Sequence, residues 1–149
     1  MRETLYLDTS VISAYYDQRD QSRQVLTIEF WSKIASYNVF ISSLVLEEIQ
    51  DTLDKNIQLK LLSLVSSFNK LGVSDEIVTI ANKYIDGGIF PEKYRDDAYH
   101  LAIASFNNID YLANWNFKHL VKVKTKRMAN LVNLREGYQP IEIIAPAEL

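Results

Sequence analysis

The chain has 149 residues, 48% of them hydrophobic and 23% charged, and a formal net charge of −3. That length suits one domain around one core, and the apolar content excludes intrinsic disorder. With no cysteine, a disulfide scaffold, a thiolate zinc site and a cysteine nucleophile are all excluded.

The first apolar run, Thr4–Leu7, predicts a short strand that stops at Asp8-Thr9-Ser10. Thr9 or Ser10 can cap a brief helix through Val11–Tyr16. A longer helix starts at Asp20 or Ser22, with Val25, Ile28, Trp31, Ile34 and Ala35 expected on its apolar face. Val39–Ser42 reads as the second strand. It leads at once into a helix through Leu44–Leu53, and another helix follows from Ile57 to Phe68. A short strand is expected near Leu71–Val73. Ser74 then caps a helix to about Ile85, which Gly87-Gly88 ends. Tyr94–Phe106 carries a small-residue surface suited to close packing. Tyr111–Ala113 is a strand, Thr125–Arg135 a helix and Ile141–Ile144 the last strand.

No apolar stretch approaches the roughly 18 residues of a spanning helix. The first residues, MRETLYLDTS, read as the start of a fold and not as a secretion signal. The lack of cysteine fits a reducing compartment, so a cytoplasmic protein is expected. Charge is uneven: residues 1–114 hold ten basic and sixteen acidic side chains, residues 115–149 six and three. Lys118, Lys122, Lys124, Lys126 and Arg127 crowd into the later part, where they fit either a phosphate-binding patch or a solvated helix entry.

Alternating strands and helices predict a parallel sheet covered by helices on both faces, a three-layer α/β/α sandwich. Such folds gather functional groups at the carboxyl ends of their strands. Asp8 ends the first strand, where it fits either a helix cap or a functional carboxylate. Glu48 lies beside Leu44, Val45 and Ile49 on the apolar side of its helix, whereas Glu47 lines up with Asp51 and Asp54 toward solvent. Asp96 and Asp97 open the 94–106 helix. One suffices for capping, and Asp97, which heads the Leu101–Ala104 row, is favoured for chemistry. His100 fits a core histidine better than a ligand, and Trp115 either stacks on a base or plugs the sheet end, the plug being favoured. Asp110 precedes its strand and reads as structural.

Three carboxylates meeting at about 5 Å repel by roughly 3 kcal/mol per pair at an effective dielectric of 20. Either they take up protons or a cation sits between them. Oxygen donors without cysteine suit Mg²⁺ or Mn²⁺. No P-loop, Gly-x-Ser-x-Gly or Gly-x-Gly-x-x-Gly motif occurs.

The stretches LYLDTSVIS (5–13), ISSLVLEEI (41–49), YRDDAYHLAIAS (94–105) and DYLANWNFKHL (110–120) together resemble the PIN-domain family, and within it the VapC-like toxins of type II toxin–antitoxin systems. The resemblance implies one PIN-like domain over 1–149 and a metal-dependent endoribonuclease acting on RNA. It maps catalytic positions onto Asp8, Glu48, Asp97 and Asn116, the first three holding Mg²⁺ or Mn²⁺. Ser10 matches a hydroxyl near the site, and Lys118, Lys122 and Lys124 are placed to hold the RNA backbone. A homodimer bound by a VapB-like antitoxin is implied as well. Asn116 supplies no charge, and Asn114 stands where relatives often carry Thr or Ser. A PIN-like module that binds RNA or protein without cutting is the alternative expectation.

Overall fold

The computed structural model describes residues 2–116 and 122–149. Strands and helices alternate along them: β1 (Thr4–Leu7), α1 (Thr9–Ala14), α2 (Gln21–Lys33), β2 (Asn38–Ser42), α3 (Ser43–Gln50), α4 (Lys55–Val65), β3 (Asn69–Leu71), α5 (Asp75–Asp86), α6 (Arg95–Phe106), β4 (Tyr111–Ala113), α7 (Val123–Arg135) and β5 (Glu142–Ile144). The five strands form one sheet in the order β3-β2-β1-β4-β5, and every neighbouring pair is parallel. This is the expected α/β/α architecture, with a sheet that is parallel throughout.

Strand order explains where a site can form. The chain lays down β1, β2 and β3 outward, then returns to the far side of β1 for β4 and β5. Connections therefore leave β1 and β4 in opposite directions, and the switch point at which such folds form a crevice lies beyond their carboxyl ends. Leu5, Tyr6, Leu7, Ile41 and Leu112 are all fully buried, as strands covered on both faces should be. Side-chain oxygens of Asp20, Ser42, Asp54 and Ser74 accept first-turn N–H groups of α2, α3, α4 and α5. Such caps contribute about 1 kcal/mol each. Among the described residues no helix is long and apolar enough to cross a membrane.

The structure corrects several expectations. The cap of α1 is Asp8, whose Oδ2 accepts the Ser10 N–H at 2.9 Å, so the helix starts at Thr9. In α2 the buried face holds Thr27 and Phe30, while Val25 and Ile28 are 56% and 44% exposed. Thr27 tolerates burial because its hydroxyl donates to the Arg23 carbonyl and accepts from Trp115 Nε1. Hydrophobic periodicity cannot register such a residue. Helix α3 ends at Gln50 because the chain turns out through Leu53, 97% exposed, toward the Asp54 cap. Strand β3 falls two residues early, on the polar edge segment Asn69-Lys70-Leu71, which is paired only through β2. Asp96 is exposed in the first turn of α6, and no side chain caps that helix.

Candidate functional site

Four elements deliver carboxylates or amides to the crevice. Asp8 follows β1, Glu48 lies on α3, Asp97 opens α6, and Asn116 follows β4. Asp8 is buried and divides its oxygens between two tasks. Oδ2 caps α1, and Oδ1 lies 3.3 Å from His100 Nε2. The same nitrogen lies 2.6 Å from Glu48 Oε1, which also accepts the Thr9 hydroxyl at 2.9 Å. The two carboxylate oxygens are therefore within about 6 Å of each other. Asp97 Oδ2 accepts from Asn116 Nδ2 at 2.9 Å. Glu48 Oε2 and Asp97 Oδ1 accept no hydrogen bond among the described residues.

The electrostatics follow from this crowding. Burial, then the charge of Asp8, pushes the Asp97 carboxyl up to about 7; Glu48 and Asp96 add to the rise and His100 opposes it. Burial also works against a charged Glu48, but the hydrogen bond and charge of His100 and the Thr9 hydroxyl outweigh it and lower its pKa. For His100 burial favours the neutral ring, yet Asp8 and Glu48 prevail and raise its pKa. Burial lifts the Tyr6 phenol well above its ordinary value, against its Ser42 hydrogen bond and with the help of Asp8 and Glu48.

The donor chemistry fits a hard divalent cation. Asp97 carries its proton to near neutrality because it is buried and, second, because Asp8 and Glu48 lie near it; a cation would relieve the repulsive part. Among the described residues no three His, Cys, Asp or Glu side chains converge tightly enough to grip an ion directly. Water between ion and protein suits Mg²⁺, which sheds its hydration shell reluctantly.

The other expected site residues are placed less centrally. Ser10 is half-buried, and its hydroxyl oxygen accepts the Trp115 N–H at 3.0 Å, fastening the segment after β4 to α1. Lys122 and Lys124 are exposed at the head of α7, beside a depression of about 540 Å³ shared with Gly88, Ile89 and Pro91. Among the described residues neither forms a hydrogen bond or ion pair with the carboxylates. Lys118 lies outside the described residues. Trp115 is buried, with its indole N–H on Thr27 and the Arg23 guanidinium 5.1 Å from its ring centre, as a plug requires. Glu47 is exposed, as its helical stripe indicated. Asn114 is fully buried; its Oδ1 accepts the Asn116 N–H, and its Nδ2 has no partner among the described residues.

Sequence reasoning passed over Tyr6, Thr9 and the central position of His100. Two local signals mark the positions of Tyr6 and His100, though not the bonds they make, and none marks Thr9. Tyr6 and Asp8 share a sheet face at i and i+2, and His100 stands one helical turn after Asp97.

Solved structures with a similar fold were found. A toxin–antitoxin complex from Klebsiella pneumoniae aligns with a TM-score of 0.62 at 15% identity, over 95% of this chain and 97% of that one. VapBC2 from Rickettsia felis, bound to a DNA fragment from its promoter, aligns at 0.61 and 14%, over 95% and 98%. Mycobacterium tuberculosis VapC20, a sarcin–ricin loop cleaving toxin, aligns at 0.58 and 13%, over 93% and 98%. At such identities the likeness shows the fold alone. No curated protein matches the sequence. The PIN domain model matches residues 5–119, and the chain belongs to the PIN domain family.

Proposed function

We propose that this PIN domain is a divalent-metal-dependent endoribonuclease, the toxin of a toxin–antitoxin pair, working in the cytoplasm as a homodimer restrained by a VapB-like antitoxin. The observation that carries the reading is the proximity of Asp8, Glu48 and Asp97 at the switch point of a parallel sheet, where burial and then the charge of Asp8 hold Asp97 up to about 7. The fold shared with toxin–antitoxin complexes and with a sarcin–ricin loop cleaving toxin supports the biological role.

Asp8, Glu48 and Asp97 would hold Mg²⁺ or Mn²⁺ with water between the ion and part of this set. When bound there, the ion supplies charge stabilisation for an attacking water and for the oxygen leaving a phosphodiester. Asn116 fixes one Asp97 oxygen by its 2.9 Å bond. The Ser10 hydroxyl hydrogen can be offered to a phosphate oxygen. Lys118, Lys122 and Lys124 would hold the RNA backbone, so binding weakens as salt rises.

Asp8→Asn tests the assignment, because asparagine caps a helix as well as aspartate and keeps α1 in place. Mn²⁺-stimulated RNA cleavage is expected to fall to background while the circular-dichroism spectrum is retained. Full activity would refute the reading. Two observations favour a second reading, a module that binds RNA or protein without cutting: the position after β4 offers the neutral Asn116, and no three described ligands close on one point. Asp8-independent RNA binding with no cleavage at saturating Mn²⁺ would establish it.

A further inference from the structure

The proposed chemistry uses the carboxylates but gives no role to the group between them. His100 is 1% exposed, and both of its ring nitrogens are engaged. Nε2 faces Glu48 Oε1 and Asp8 Oδ1. Both are acceptors, so this nitrogen carries a hydrogen whatever the charge of the ring. Nδ1 lies 2.8 Å from the Tyr6 hydroxyl, which lies 2.7 Å from Ser42 Oγ. Ser42 Oγ in turn accepts the Val45 N–H and caps α3, the helix that carries Glu48. Tyr6 and Ser42 are both fully buried. One unbroken chain thus runs from the cap of α3, across β1, through a side chain of α6, and back to carboxylates on α3 and after β1.

Packing alone does not explain this chain. An apolar side chain at position 100 would fill the space between α6 and the sheet without needing buried partners, and buried polar networks are costly when incomplete. Every link here is made, and the chain ends on two of the three proposed metal-binding carboxylates. Partners of this kind fix the orientation of the groups that touch a metal.

We infer that His100, braced by Tyr6 and Ser42, is a positioning residue that sets the Asp8 and Glu48 carboxylates for a divalent cation. The inference rests on the cation-binding part of the proposed function and not on RNA cleavage. Its test is Mn²⁺ binding by calorimetry on the full chain, with RNA cleavage measured in parallel. His100→Gln places an amide N–H near the former Nε2, whereas His100→Asn reaches only the Nδ1 end. Tyr6→Phe leaves the ring and removes its brace.

Mn²⁺ affinity is expected to fall in the order wild type, His100→Gln, His100→Asn, with a loss of about 10-fold or more for the last. Tyr6→Phe should lose about threefold and leave the KM for RNA unchanged. It should also shift the His100 ring ¹⁵N resonances, and it serves as the folded control if a His100 variant fails to fold. Unchanged affinity in Tyr6→Phe and in the folded His100 variants overturns the inference. So does tighter Mn²⁺ binding, which would make His100 a competitor of the ion, and so does a wild-type chain that binds no Mn²⁺ through Asp8. If the wild type binds Mn²⁺ and the variants follow this order while no RNA is cut, the positioning role stands and the ribonuclease reading falls.

Discussion

The two ends of the sheet treat acidic residues in opposite ways. At the amino ends of β1 and β4, Asp110 Oδ2 accepts the Thr4 N–H at 2.8 Å and its hydroxyl at 3.0 Å, and the Asp110 N–H returns to Thr4 Oγ1 at 2.8 Å. Beside it, Glu3 accepts the Tyr111 hydroxyl, a bond that pushes the phenol up to about 12. These acids are exposed, and each is answered by a neutral donor on the neighbouring strand. At the carboxyl ends the acids are buried or half-buried and face one another. Asp110 stitches the sheet together; Asp8, Glu48 and Asp97 make a local field that folding alone does not require. Isolated acids among donors indicate structure, whereas acids crowded among acids at a switch point indicate a site.

Asp8→Asn should break the comparison most sharply: a loss of about a thousandfold in RNA cleavage, about 4 kcal/mol of barrier, with little change in melting temperature. Asp110→Ala should do the reverse. Its Thr4 bonds bridge strands 106 residues apart in sequence. Their loss is expected to cost about 1–2 kcal/mol, read as a melting temperature lower by about 3–6 °C, with Mn²⁺ affinity untouched.

pH sharpens the same contrast. Asp97 has an ordinary value of 3.8 and a folded value of about 7. Between these the unfolded chain releases a proton that the folded chain keeps, so rising pH withdraws stability until about 7. His100 acts in the same direction. Its raised pKa contributes stability that is complete below 6.5 and is lost as pH climbs from there through the higher folded value. Glu48, lowered from 4.5, contributes stability that disappears only as pH falls through its folded value, on the acid side of this window. Metal-free protein is therefore expected to melt at lower temperature at pH 8 than at pH 5.5, and Mn²⁺ to raise the melting point more at pH 8. Asp97→Asn should flatten the pH profile and stabilise the metal-free chain at pH 8 while stopping cleavage. A metal-free melting curve insensitive to pH over this range would contradict the crowding of carboxylates.

Asn114→Ser is a milder probe of the crevice. Serine keeps an oxygen to accept the Asn116 N–H and removes the buried Nδ2, which has no partner among the described residues. A gain of about 1 kcal/mol in denaturant unfolding is expected.

What the sequence made legible follows from the range of the forces involved. β1 and β4 could be read at their observed bounds because each is a short apolar run closed by polar residues. The approach of Asp8, Glu48 and Asp97 could be anticipated from strand ends and helix faces. The edge strand β3 could not be placed, since its Asn-Lys-Leu segment has no hydrophobic signature and is held by pairing with β2. The buried face of α2 was hidden by Thr27, which is buried through a bond to Trp115, 88 residues away. The Tyr6–Ser42–His100 chain was equally hidden, because each link joins residues at least 36 apart.

Glu47 and Glu48 give the smallest expected effect and the most local test. They are adjacent on α3, chemically identical and about 100° apart around the helix. Glu48 meets Thr9 and His100, whereas Glu47 is exposed beside Leu44, Asp96 and Tyr99 at a shallow depression. Glu47→Gln is therefore expected to change stability by less than about 0.5 kcal/mol and to leave Mn²⁺ affinity within twofold of wild type. Glu48→Gln should weaken Mn²⁺ binding by an order of magnitude, since it removes a charge that His100 and Thr9 hold in place. Equal effects from the two substitutions would mean that net charge near α3 governs the ion, and the separation of the helix into a site face and a solvent face would lose its functional meaning.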